Sequence, residues 1–582
     1  MLGARQKGWG PSHQHASIVE PKRRWPWVLA AWMVLVGMFN SGGGILGGAW
    51  WVLGSLGWVA AMVIGGWVFW WASEHGYLQR TFRAIWRWLL RSPEWREEEA
   101  LAHASPGDAV RQRMLRLGGG AYLGMRDHGS FVTADPEHAV LVLGPPRSGK
   151  TSQVVIPAVL AAPGPVLSTA TKPDVMAATW RARSEIGQVW VYDPTGDQRE
   201  LPAGVRRLHW SPISAAGSWD AALLTARAMA TAGAAGKGTT NEDHWRERAA
   251  ALLAPLLFAA NLAGEPIGTV VSWVLRGELD RPGKILEDQK AQSACDVLIG
   301  IAKTEARERS SIFSATAGTL AAYNSDAARA NAAATNFDPD AFPNSSDTVY
   351  VTAPAHKQAL CAPLVVGLLE QIRYATYAQA AADPAMTAVG MPRRPPVFFC
   401  LDELANIAPI HDLPALISEA GGQGLHILAC LQDLSQAKAR WGESTGEGLL
   451  TLFQTKLILN GIADPRTLDA ISVVLGEYDR QLASRTDGRT EEHRIFHPDT
   501  YSESVTHNTQ RQRILSPGEI ARLPEGRALL LEGVRWRLIR TTPWYRSAPW
   551  AEVAAQATAM RSAAPSPTSC RPGISSANPI TR

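Results

Sequence analysis

The five cysteines of this 582-residue chain (Cys295, Cys361, Cys400, Cys430 and Cys570) form no C-x-x-C pair. A disulfide scaffold and a Cys-rich zinc module are thereby excluded, and the soluble part fits a reducing compartment. The 14 histidines offer no H-E-x-x-H arrangement, so a zinc protease has no footing. Net charge is also scarce. At +4 it is too small for the length to mark a nucleic-acid binder, and any such affinity must come from local patches or from assembly. A composition of 46% apolar and 19% charged residues excludes a disordered chain. The length is about four times that of a typical domain and implies several. The sharpest deficit is local: from Trp25 to Ser73 there is no Asp, Glu, Lys or Arg.

Forty-nine uncharged residues are too many for one span of about 20 and suit two spans with a tight turn. Helix propensity collapses at Asn40-Ser-Gly-Gly-Gly44, which is where the turn is expected. The first span would run from Trp27 to about Phe39. The second is bracketed by Trp50-Trp51 and Trp70-Trp71, the pattern of an interfacial aromatic belt. Lys22, Arg23 and Arg24 precede the pair and Arg80, Arg83, Arg87 and Arg91 follow it, so both ends are expected on the cytoplasmic side of the cell membrane. A cleaved signal peptide does not fit, because a second span follows and 24 residues precede the first.

The boundaries read as a cytoplasmic segment at 1–24, a transmembrane hairpin at 25–73, and a juxtamembrane part at 74–135, with an amphipathic helix at 75–100 and a polar connector around 102–135. Beyond it, short apolar runs alternate with helical ones: Ala139–Leu143, Pro165–Thr169, Val189–Tyr192, Thr348–Thr352, Val397–Leu401, His426–Leu431 and Lys456–Asn460. Nearly all-apolar strands separated by helices describe a mostly parallel sheet covered on both faces, an α/β fold. Ala528–Leu531 and Arg535–Ile539 suggest an antiparallel hairpin at the sheet edge. Between 218 and 337 the strand signal gives way to Ala-rich helical stretches, so an all-α domain is expected as an insert. It splits the nucleotide-binding domain into parts at 136–217 and 338–545. A C-terminal tail covers 546–582, and its Ser, Pro, Gly and Ala content predicts disorder from about 562.

Directly after the run Ala139–Leu143 comes Gly144-Pro145-Pro146-Arg147-Ser148-Gly149-Lys150-Thr151, a complete G-x-x-x-x-G-K-[ST] phosphate loop. Such a loop turns backbone N–H groups inward at phosphate oxygens. Lys150 would meet the β- and γ-phosphates and Thr151 would place its hydroxyl on Mg²⁺. An acidic partner is expected on a neighbouring strand, and Val397–Leu401 runs into Asp402 and Glu403. Asp402 would hold the Mg²⁺ shell, while Glu403 is placed to orient or deprotonate the attacking water. Gln432, at the end of the strand His426–Leu431, would contact the γ-phosphate or else cap the turn at Asp433.

These residues, in this order, resemble the type IV secretion coupling proteins, the membrane-anchored ATPases of conjugative DNA transfer. The resemblance rests on the two-span hairpin, Leu143–Thr151, Ser168-Thr-Ala-Thr-Lys-Pro-Asp174 and Tyr192-Asp-Pro194. It continues through Leu401-Asp-Glu-Leu-Ala-Asn406, Ile407-Ala-Pro409, Gly422-Gln-Gly424, Gln432, Gln436 and Trp441-Gly442, and spans roughly 25–545. Leu404 stands where the family commonly has Phe, and no arginine finger can be matched. The resemblance implies a RecA-like nucleotide domain with an inserted all-α domain, and ATP with Mg²⁺ as cofactors. It also implies a homo-oligomer, a hexamer, at the base of a secretion channel. That ring would receive single-stranded DNA with its relaxase, or protein substrates. A ring multiplies any basic loop sixfold, so low charge per chain does not oppose DNA handling.

Two other readings stay open: a chromosome-partition type double-stranded DNA translocase, and a substrate receptor that binds nucleotide but hydrolyses it little. The first usually carries more spans and a C-terminal winged helix. An ABC transporter is excluded, since its signature should precede the acidic motif and the faint echo Ala420-Gly-Gly-Gln-Gly424 follows it.

Overall fold

The computed structural model describes residues 104–197, 200–233, 241–383, 394–490 and 500–555, all within the compact unit Ala100–Arg582. The segment 1–24, the hairpin expected at 25–73, the helix expected at 75–100 and the tail from 562 lie outside the described residues. Among the described residues no helix is long and apolar enough to cross a membrane.

In chain order the strands are β1 (Tyr122–Met125), β2 (Phe131–Thr133), β3 (Val140–Leu143), β4 (Val166–Ala170), β5 (Val189–Tyr192), β6 (Val205–Arg207) and β7 (Thr348–Thr352). They continue as β8 (Val397–Leu401), β9 (Leu425–Leu431), β10 (Thr455–Ile458), β11 (Glu477–Thr490), β12 (Thr500–Arg513), β13 (Arg527–Glu532) and β14 (Arg535–Arg540). Among the described residues twelve of them form one sheet in the order β2-β1-β14-β13-β10-β3-β9-β8-β4-β7-β5-β6. From β10 to β6 every neighbouring pair is parallel; from β10 to β2 every pair is antiparallel.

The parallel strands read as unbroken apolar runs because both their faces are buried, so period-two alternation needs no polar residue. On β3, Leu141 and Leu143 enter one apolar cluster while Val140 and Val142 enter the other, across the sheet. The first cluster also takes in the helices between β6 and β7. There the described residues carry helices and no strand, among them Trp219–Ala232, Glu242–Ala263, Ile267–Arg276 and Ala306–Thr319. Trp219–Ala232 starts where the Ser218 hydroxyl accepts the Ala221 N–H at 3.2 Å. Leu252, Leu256, Trp273 and Ile312 of these helices pack in the cluster that holds the β3, β8 and β9 side chains. The second cluster covers the opposite face with Val154, Val159 and Trp180.

Two expectations are corrected. The stretch from 102 to 135 is not a plain connector: it holds the helix Pro106–Arg116 and the strands β1 and β2. Consequently the β13–β14 hairpin is not at the sheet edge, because β1 pairs with β14 and β2 lies outside that. Trp550, 1% exposed, locks this extension by packing on Tyr122 and Phe131. β6 and the long antiparallel pair β11–β12 were not foreseen either. Those two strands form a sheet of their own, in register from Glu477↔Arg513 to Thr490↔Thr500.

His426 ties the extension to the parallel sheet. Its Nε2 accepts the Ala121 N–H at 2.9 Å and its Nδ1 lies 2.9 Å from the Pro136 carbonyl, a pairing that requires a neutral ring protonated at Nδ1. Burial pushes its pKa down to about 4, opposed by the Pro136 bond. The unfolded chain takes up that proton first, near pH 6.5. This side chain's stabilisation is therefore complete above pH 6.5 and declines as pH falls toward 4, by up to about 3 kcal/mol. Thermal unfolding at pH 7 and pH 5 is expected to show about two-thirds of that drop, and a His426→Asn variant to lose this part of the slope. An unchanged slope in the variant would assign the acid sensitivity to other groups.

Candidate nucleotide site

The chain leaves β3, crosses to β4, and later inserts β8 and β9 between them. The C-terminal ends of these strands then border one crevice, where ligands of open α/β sheets are held. The loop Gly144–Thr151 lies there. Its first N–H, on Gly144, donates to the Leu431 carbonyl of β9 at 3.2 Å. Gly149 has φ +95, a conformation that side-chain-bearing residues rarely adopt, and it directly precedes the helical winding Lys150–Val155 that continues as Ile156–Ala161. At Gly144 a Cβ would lie 2.6 Å from the Ser148 hydroxyl, so the loop closes only without one.

Inside the loop, Lys150 is 9% exposed and its ammonium donates to the carbonyls of Gly144 and, at 3.0 Å, Pro145. The buried Ser148 hydroxyl has no hydrogen-bond partner among the described residues. A buried donor without a partner, beside a caged ammonium and a helix N-terminus, is the donor set a phosphate group satisfies. Pro146 and Arg147 line the mouth of the same cleft, of about 880 Å³.

Across the cleft, the Thr151 hydroxyl donates to Asp402 Oδ2 at 2.7 Å, joining residues 251 apart in sequence. Asp402 is 8% exposed, and burial pushes its carboxyl up to about 6; the Thr151 bond opposes the shift and Glu403 adds to it. A divalent cation at this pair would reverse that shift. Among the described residues no group of three His, Cys, Asp or Glu could hold a metal by itself. A Mg²⁺ held by one hydroxyl, one carboxylate and phosphate oxygens needs no such group. Glu403 lines the cleft next to Asp402, and its Oε2 accepts the Asn406 side-chain amide at 3.1 Å.

One placement differs from expectation. The strand carrying Asp402 is not the neighbour of the loop strand, because β9 lies between β8 and β3. Gln432 directly follows β9, so it stands between the two motifs, beside Gly144. Its backbone N–H donates to Gln436 Oε1 at 2.9 Å, and the cap of the following helix is Asp433 rather than Gln432. Gln432 is not among the described residues that line the cleft.

The lining residues without a predicted role include Lys172 and Asp174, at the end of the run Ser168–Asp174, and the aromatic pair Trp544 and Tyr545. Lys172 and Asp174 belong to a run whose signal in the sequence is its likeness to the family. The aromatics follow β14, almost four hundred residues from the loop, and no local pattern links them to it.

Residues 96–566 match the sequence profile of the family described as Type IV secretory system Conjugative DNA transfer. No curated protein matches the chain in sequence. Among solved structures, the unbound bacterial conjugative coupling protein TrwBdeltaN70 is similar with a TM-score of 0.52 and 16% identity, over 75% of this chain and 92% of that one. TrwB in complex with ADP and Mg²⁺ gives 0.52 and 17%, over 76% and 92%. TrwB with the GTP analogue GDPNP gives 0.51 and 16% over the same shares. At such identity the likeness shows the fold, a RecA-like α/β sheet, and the profile match over most of the chain carries the rest. This chain belongs to the type IV secretory system conjugative DNA transfer family.

Proposed function

We propose that the chain is a membrane-anchored ATPase that receives a relaxase–DNA complex or a protein substrate and drives or gates its passage through a type IV secretion channel. The observation that carries this reading is the Thr151–Asp402 hydrogen bond with Glu403 alongside, which joins the phosphate loop to the acidic pair in one cleft. TrwB, of the same fold, has been captured with ADP and Mg²⁺, which supports ATP and Mg²⁺ as the ligands here.

Bound Mg²⁺ and ATP would supply the metal's neutralisation of charge on the transferring phosphoryl group. Thr151 and Asp402 hold the metal side, and the loop N–H groups with Lys150 hold the phosphates. Glu403 takes the proton of the attacking water, and Asn406 fixes the carboxylate that does so. Gln432, which follows the Leu431 carbonyl bonded to Gly144, would report loss of the γ-phosphate through the loop. The functional unit is a homo-hexamer at the cytoplasmic membrane, anchored by the hairpin at 25–73, with the bulk of each chain in the cytoplasm. Turnover at subunit contacts would bias loop positions along the cargo.

The test is ATP turnover by the detergent-extracted full chain, with single-stranded DNA, double-stranded DNA or none. Stimulation by single-stranded DNA is expected. Stimulation by duplex alone would favour the chromosome-partition reading, and tight ATP binding without turnover would favour the receptor.

A further inference from the structure

The cleft has two kinds of wall. One is polar and built for phosphate: Lys150, Thr151, Asp402 and Glu403. The other is apolar: Ile156, Ala177, Ala178, Trp544 and Tyr545. Beyond β14, the Thr541 hydroxyl donates to Gln153 Oε1 at 2.9 Å. This bond fastens the C-terminal strand to the helical turn that follows Lys150. Three residues on, Trp544–Arg546 forms a 3₁₀ turn. Trp544 is half-buried against the second core, whereas Tyr545 is 55% exposed, with the Arg546 guanidinium 5.7 Å from its ring centre. The two rings stand 5.8 Å apart and almost perpendicular, at 88°, so they make a corner rather than a stacked pair. Both residues of this corner line the cleft, three residues beyond the Thr541–Gln153 bond.

We propose that Trp544 and Tyr545 form the platform on which the base of the bound nucleotide stacks. The inference rests on the reading that this cleft binds a nucleoside triphosphate. A triphosphate anchored at Lys150 leaves its nucleoside to reach along the cleft, and these are the aromatic side chains among its lining residues. Stacking on an aromatic face is available to any base and needs no hydrogen-bond donor. The exposed Tyr545 ring, otherwise left in water, gains a partner.

The test compares Mg²⁺-dependent binding of ATP and of inorganic tripolyphosphate to the full chain in detergent. Tyr545→Ala and Trp544→Leu are each expected to weaken ATP about tenfold and to leave tripolyphosphate unchanged, with Tyr545→Phe close to the native chain. Because Tyr545 is exposed, its replacement tests the proposal even if Trp544→Leu disturbs the core. Unchanged ATP affinity in Tyr545→Ala and Trp544→Leu would overturn the platform and leave the nucleotide site standing. Equal loss of both ligands would also overturn it, by showing that the turn merely braces the loop through Gln153. A native chain that binds neither ligand would sink the nucleotide reading, and this inference with it.

Discussion

The Glu403→Gln variant is expected to bind MgATP as the native chain does and to turn it over about 100- to 10,000-fold more slowly, the range a positioned general base contributes. The amide keeps the size of the carboxylate and can still bond with Asn406, so the substitution removes proton acceptance and little else. Glu403 is only half-buried, and the fold does not depend on its charge. Phosphate release at saturating ATP, with nucleotide affinity measured alongside, checks the expectation. Near-native turnover would remove Glu403 from the water-activating role and leave Asp402 as a metal ligand with no base beside it.

The Lys150→Ala variant is expected to lose about 100- to 1,000-fold in turnover and to bind ATP more weakly as well. Its ammonium is enclosed by the loop's own carbonyls, of Gly144 and Pro145. It is therefore already withdrawn from bulk water inside the loop, where electrostatic stabilisation of a bound triphosphate would be strong. The two variants are distinguishable: Glu403→Gln leaves affinity intact, and Lys150→Ala does not. A Lys150→Ala chain that still hydrolysed ATP at a near-native rate would place the chemistry outside this loop.

The loop was legible because its chemistry is written in consecutive residues, and so were the parallel strands, whose double burial leaves a run of apolar letters. Asp402 and Glu403 were legible as the exit of one such run. Strand order was not, since nothing in Val397–Leu401 or Leu425–Leu431 says which lies nearer β3. β1 and β2 were not legible because neither is an unbroken apolar run: Gly124 interrupts the first, the second is only Phe131–Thr133, and the register slips between Tyr122 and Gly124. β11 and β12 were hidden for the opposite reason: they are long but polar, pairing Asp479 with Arg511 and Gln481 with Thr509, without the apolar alternation that announces a strand. Trp544 and Tyr545 could not be placed from sequence, because their neighbours in space are set by β13 and β14 returning beside β10 and β1.

The interleaving of early and late strands has a consequence for synthesis on the ribosome. β1 and β2 are made long before β13 and β14, yet β14 is what joins them to β10 through β13. Until roughly residue 540 has emerged, β10 keeps a bare edge and β1 lacks its strand partner, held to the sheet only from the side through Ala121 and His426. A message cut short upstream of that point yields a polypeptide with a finished phosphate loop but an open, sticky flank, which proteases and chaperones recognise.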